Sequence, residues 1–158
     1  MSIQNKTITV PVEAMGKPRM TQRDKFAKRP CVLTYRAYSD ELRLKVGRIP
    51  DNIVGVSWVA YFAMPKSWSQ EEKDKHRGEL HQSKPDRDNV DKGILDTFIN
   101  QDSVVAFGSL TKLWDDGAGA RIELTFHYRD ALTKPGTAGR DYVLNMQPKG
   151  RGTLKPGK

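Results

Sequence analysis

The sequence predicts an α+β fold, a single domain in which packed helices lie against a mixed β-sheet, and three observations predict it. Strand-like segments with a period of two follow one another late in the chain, whereas earlier ones are separated by helical segments. At 158 residues the chain has room for one hydrophobic core. Ile8, Val10 and Val12 alternate with polar residues and predict the first strand. Gly16-Lys17-Pro18-Arg19 ends it and opens an exposed loop over 17–29, rich in Lys and Arg and poor in apolar residues. Leu33, Tyr35, Tyr38, Leu42 and Val46 recur at helical spacing, which predicts a helix over 35–46 before Pro50.

Residues 53–62, with Val54, Val56, Trp58, Val59 and Tyr61, have the β-branched and aromatic content of a buried strand. That content makes the core, rather than a dimer face, the expected home of Trp58, Tyr61 and Phe62. The charged stretch 67–78 predicts a solvated helix opening at Ser67 or Ser69, with Glu71 and Glu72 near its positive end. A further helix is expected over 90–99. Short strands follow at 103–107 and 109–114 around Gly108, then a turn at Asp115-Asp116-Gly117 and a last strand over 120–128. The domain is expected to occupy residues 1–130, with a basic, flexible tail over 131–158.

Composition narrows the function. Hydrophobic residues make up 37% and charged residues 29% of the chain, and no apolar run approaches the roughly 20 residues of a membrane span. The first ten residues lack the apolar stretch of a secretory signal, so a cytosolic protein is expected. Cys31 is the single cysteine, which excludes an internal disulfide and a cysteine-cluster metal site. His76, His81 and His127 are the three histidines, and no pair has the spacing of a helical metal site. His81 is expected in a solvated loop.

The net charge of +8 is unevenly placed. Residues 1–50 hold 11 Lys and Arg against 4 Asp and Glu, residues 51–130 hold 10 against 14, and residues 131–158 hold 6 against 1. An acidic centre between basic ends suits a protein that grips phosphates beside a carboxylate cluster needing a divalent cation, although solvated surface charge has the same signature.

That centre is Lys84-Pro85-Asp86-Arg87-Asp88-Asn89-Val90-Asp91-Lys92-Gly93-Ile94-Leu95-Asp96, followed by Asp102. On a helix, Val90, Ile94, Leu95 and Phe98 gather on one side and Asp88, Asn89, Lys92 and Asp96 on the other. Asp86 and Asp88 stand at the helix entry. Three ordinary roles compete here: Asp88 as a helix cap, Asp88 and Lys92 as an i,i+4 ion pair, and Asp102 as a turn residue. Against them stands the combination, since carboxylates crowded together repel and a hard cation with oxygen ligands relieves the repulsion.

The run from Lys84 to Asp96 followed by Asp102-Ser103-Val104-Val105 closely resembles the D-x-D-N-x-x-K-x-x-x-D then D-x-x-V pattern of the RusA family of Holliday-junction resolvases. Looser matches are Gly16-Lys17-Pro18-Arg19, the run from Met64 to Trp68, and Lys112. Together they resemble the phage and prophage branch of that family over about residues 8–128. The resemblance implies an acidic triad of Asp86, Asp88 and Asp102 that binds Mg²⁺, with Lys92 as the catalytic lysine. It also implies branched DNA such as four-way junctions as partner, and a homodimer that makes two symmetric nicks. Lys17, Arg19, Arg23, Lys25, Lys84 and Lys112 are the candidate phosphate contacts. A non-catalytic DNA-binding protein is the alternative, and only metal-dependent nicking separates the two.

Overall fold

The computed structural model describes residues 2–19, 21 and 29–129. Residues 22–28, with Arg23 and Lys25, and the expected tail lie outside them. The elements run in the order β1 (Ile3–Val10), α1 (Pro30–Val46), β2 (Ile53–Phe62), α2 (Gln70–His76), α3 (Arg87–Phe98), a 3₁₀ turn (Asp102–Val104), β3 (Leu110–Trp114) and β4 (Arg121–Arg129). The four strands form one sheet in the order β1-β4-β2-β3. β4 is antiparallel to both β1 and β2, while β3 is parallel to β2. The parallel pair needs a long crossover, and the segment holding α2 and α3 supplies it. This is the expected α+β fold with a mixed sheet.

Alternation along the strands decides where the core lies. Val56, Trp58, Ala60 and Phe62 of β2 and Ile122, Leu124 and Phe126 of β4 are buried on one face with Val10, together with Tyr35, Tyr38 and Leu42 of α1 and Val90 and Ile94 of α3. Phe98 meets Phe126 edge to face at 5.5 Å between ring centroids. The helices are fastened to each other by a 2.8 Å bond between the hydroxyls of Ser39 and Thr97 and by the Arg43 guanidinium donating to the Thr97 carbonyl at 3.1 Å. Trp58 is buried in β2, as its residue type predicted, and its indole N–H donates to Asp91 at 3.0 Å.

Several local expectations are corrected. α1 begins at Pro30, more than a turn before Tyr35, with proline in the first turn where its missing N–H costs nothing. Of the two serines expected to open α2, Ser69 caps it, in a reciprocal capping box with Glu72. The stretch expected as a strand over 103–107 turns instead. Val104 N–H bonds to Gln101 and Val105 N–H to Asp102, so these backbone donors are used locally rather than in a ladder. Only Phe107 makes an isolated bridge, to Gly55. Asp115 does turn the chain, its carboxylate accepting from the N–H groups of Gly117 and Gly119, but β3 and β4 are not a hairpin because β2 lies between them.

Gly108 is where the segment carrying Asp102 enters β3. A Cβ there would stand 1.9 Å from the Val56 carbonyl oxygen, against backbone that cannot be displaced without losing the bonds from Val56 N–H to the Phe107 carbonyl and from Trp58 N–H to the Ser109 carbonyl. Gly108→Ala is expected to cost about 3 kcal/mol, the upper range of overpacking, and to lower the thermal midpoint by roughly 10 °C. An unchanged melting curve would show that the β2 to β3 approach is looser than this.

Candidate active site

The site is built on α3 and on the three segments that touch its polar side. The chain enters through a cis Lys84-Pro85 peptide, and Asp86 is the N-cap residue although its carboxylate makes no capping bond. Asp88 is therefore inside the helix and is not its cap. Nor does an ion pair join Asp88 to Lys92 among the described residues, and both side chains are exposed. Two of the ordinary roles for Asp88 are thus absent. The carboxylates of Asp86 and Asp88 accept no hydrogen bond from a side chain or backbone among the described residues. The other aspartates of the run differ: Asp91 is committed to Trp58, and Asp96 to Lys17.

The loop after β1 lies along α3. The Lys17 N–H donates to the Asn89 carbonyl at 3.1 Å, and its ammonium pairs with Asp96 further along the helix. That pairing raises the Lys17 pKa, opposed by burial and reinforced by the nearby charges of Asp96, Tyr35 and Asp102. Gly16 permits the approach, since a Cβ there would meet the Pro85 Cβ at 3.0 Å. Lys17 is thus half-buried rather than part of a freely exposed loop, while Arg19 is exposed.

β3 braces the other side. Its Lys112 ammonium donates to the carbonyls of Ser83 and Pro85 at 2.5 and 2.6 Å, and stands within electrostatic reach of Asp86. Lys112 N and O neighbours continue the zipper: His81 N–H donates to the Lys112 carbonyl at 3.0 Å, and Trp114 N–H to Glu79 at 2.8 Å. Burial lowers the Lys112 pKa, with Asp86 acting the other way. Lys84 is exposed beside it.

The fold therefore brings Asp86 to Lys112 at the entry of α3, and Asp102 to Lys17, near Asp96. It does not gather three or more His, Cys, Asp or Glu side chains into a ready metal cage among the described residues. The donor chemistry nonetheless fits a hard cation. Asp86 and Asp88 are exposed oxygen donors with no protein hydrogen bond to give up, and Mg²⁺ keeps several waters and takes only one or two carboxylates.

His81 is not the solvated loop residue its surroundings in sequence suggested. It is buried between Phe62 and Trp114, at 4.4 and 4.1 Å between ring centroids, and its Nδ1 has no hydrogen-bond partner among the described residues. Burial, and then the Lys112 charge, hold its pKa below the usual histidine value. A histidine with a depressed folded pKa binds its proton more readily when unfolded, so stability falls as pH drops below about 6.5. The thermal midpoint of the wild type should decline between pH 7 and pH 5 more steeply than that of His81→Phe. Parallel declines would remove His81 from the acid sensitivity.

Tyr35 and Arg36 were missed as neighbours of the site. Helical periodicity marks Tyr35 as core, but no local signal in the sequence pairs α1 with the far side of α3. Asp91 had a signal, since a buried tryptophan N–H needs an acceptor.

Exposed carboxylates at a helix entry, flanked by two anchored lysines in a basic chain, are a donor set suited to the hydrolysis of nucleic-acid phosphodiesters. The chain matches the family model of Endodeoxyribonuclease RusA over residues 10–125, and it belongs to that family. It is an endodeoxyribonuclease of a family that resolves Holliday junctions, acts on branched DNA and depends on a divalent metal. No match was found among curated proteins or among solved structures. No helix among the described residues is long and apolar enough to cross a membrane.

Proposed function

We propose that this endonuclease uses Mg²⁺ and resolves four-way junctions as a homodimer by two symmetric nicks in the cytoplasm. The observation that carries the site assignment is the state of the α3 entry. Of the aspartates between 86 and 96, two are consumed by Trp58 and Lys17, whereas Asp86 and Asp88 stay exposed and uncommitted. With Asp102 they would hold the ion. When bound, the metal supplies a Lewis acid for the phosphate and an acidified water.

The remaining work falls to the chain. Lys92 lies one helical turn from Asp88 and is exposed, so its ammonium is available to negative charge developing on the phosphorus centre. Lys17 lies along α3, and with Arg19, Arg23, Lys25 and Lys84 it supplies phosphate contacts that position the strand without reading its sequence. Lys112 uses two donors on backbone carbonyls, which leaves one for a phosphate.

A labelled synthetic four-way junction and a matched duplex, each incubated with protein and Mg²⁺ or with a chelator, test the reading. Paired nicks at symmetric positions of the junction, lost with the chelator, are expected. Sedimentation of the protein should give twice the chain mass. Junction binding without nicking under any divalent ion would replace this reading with that of a binding protein.

A further inference from the structure

Further along α3 from the acidic entry, α1 and α3 form an open cleft of 360 Å³. Its wall carries three cations, Lys17, Arg36 and Arg43, against two acids, Asp40 and Asp96. Four of these five are already spent on each other: Lys17 pairs with Asp96, and Arg43 bonds to Asp40 at 3.1 Å while also holding the Thr97 carbonyl. The hydroxyls at the cleft are occupied too, Ser39 with Thr97 and Tyr35 donating weakly to the Gly93 carbonyl at 3.5 Å. Arg36 alone remains. It is exposed, and makes no hydrogen bond or ion pair among the described residues. The cleft thus has one uncompensated positive charge, carried by the side chain whose planar fork matches a phosphate.

We propose that this cleft is a phosphate subsite in which Arg36 receives a backbone phosphate of the DNA strand a few nucleotides from the scissile bond. The inference rests on the junction-nuclease reading and specifies how that enzyme holds its substrate. Position supports it. Asp96, at the cleft, follows Asp88 by eight residues, about 12 Å along the axis of α3. A strand with its reacting phosphate at the helix entry and running along α3 passes over the cleft after that distance. Lys17 marks the route, since its backbone is fixed at Asn89 and its ammonium at Asp96. The surplus charge favours an anion over a cation, and an open cleft admits a continuous polymer where an enclosed one would select a free metabolite.

The test measures junction affinity without metal, across a salt series, for the wild type, Arg36→Ala, Arg36→Lys and Lys45→Ala. Lys45 lies on the same helix in an ion pair with Glu41 and controls for charge alone. Arg36→Ala should bind roughly tenfold more weakly, with the slope of log affinity against log salt reduced by about one. Arg36→Lys should keep the slope, and Lys45→Ala should match the wild type. Junctions carrying one neutral methylphosphonate at successive positions then locate the contact. One position near the nick should weaken the wild type and cost Arg36→Ala nothing further. Unchanged affinity and slope in Arg36→Ala, with a wild type that binds and nicks, overturns the subsite alone. Equal losses in Arg36→Ala and Lys45→Ala overturn it as well, because general charge then suffices. A wild type that neither binds nor nicks overturns the nuclease reading and this inference with it.

Discussion

Asp88→Asn is expected to lower junction nicking by several orders of magnitude while leaving junction binding intact or slightly tighter. The substitution keeps the size of the side chain and removes one negative charge from an exposed position in the first turn of α3. Asp88 neither caps the helix nor pairs with Lys92, so little structure depends on it and the thermal midpoint should move by only a degree or two. The helix loses a favourable interaction between a carboxylate and its positive N-terminus, a small term for an exposed side chain. Its catalytic cost is of another order. A carboxylate donor is lost from the metal set, which weakens the ion and its activation of water. Binding moves the opposite way because a charge that repels phosphate has gone. Two measurements decide it: junction affinity without metal and nicking rate with Mg²⁺, for wild type and variant. Normal nicking by Asp88→Asn would sink the assignment of Asp88 to the metal site.

Much of this fold was legible because its elements are written in periodicity. β4 alternates from Arg121 to Phe126, β2 is rich in β-branched and aromatic residues, and α1 and α3 present apolar stripes, so type and approximate limits follow from the residues. What was not legible depends on contacts between distant segments. Val104 and Val105 have strand-forming side chains, but their backbone turns because Gln101 and Asp102 accept their N–H groups locally. His81 looked like a loop residue, since nothing near it in sequence reveals that Phe62 and Trp114 close over it. The candidate residues Asp86, Asp88, Lys92 and Asp102 stood out in the sequence by residue type and spacing. Their division of labour did not. That Asp96 belongs to Lys17 and Asp91 to Trp58 follows from pairings across 79 and 33 residues of chain.

Lys112→Met should reduce nicking by roughly 10- to 100-fold, the range seen when groups that orient metal-binding residues are removed. Methionine nearly keeps the shape of the stem, so the change isolates the ammonium. Without it the Ser83 and Pro85 carbonyls lose a charged donor at 2.5 and 2.6 Å, at a cost of about 1.5–3 kcal/mol if water does not replace it. The thermal midpoint should fall by several degrees. The larger consequence lies at Asp86, the residue after Pro85, whose backbone is then held only from the helix side and whose carboxylate loses a neighbouring cation. A poorly oriented donor weakens the ion rather than the DNA contacts, so raised Mg²⁺ should recover part of the rate while junction affinity changes little. Arginine at 112 can donate to the same carbonyls and should restore more activity than methionine does. The opposite pattern is equally readable. If Lys112→Met binds the junction poorly but nicks what it binds at the wild-type rate, Lys112 is a phosphate contact and not the brace of Asp86. If neither quantity changes, the two carbonyls are satisfied by water, and β3 does not position the acidic entry.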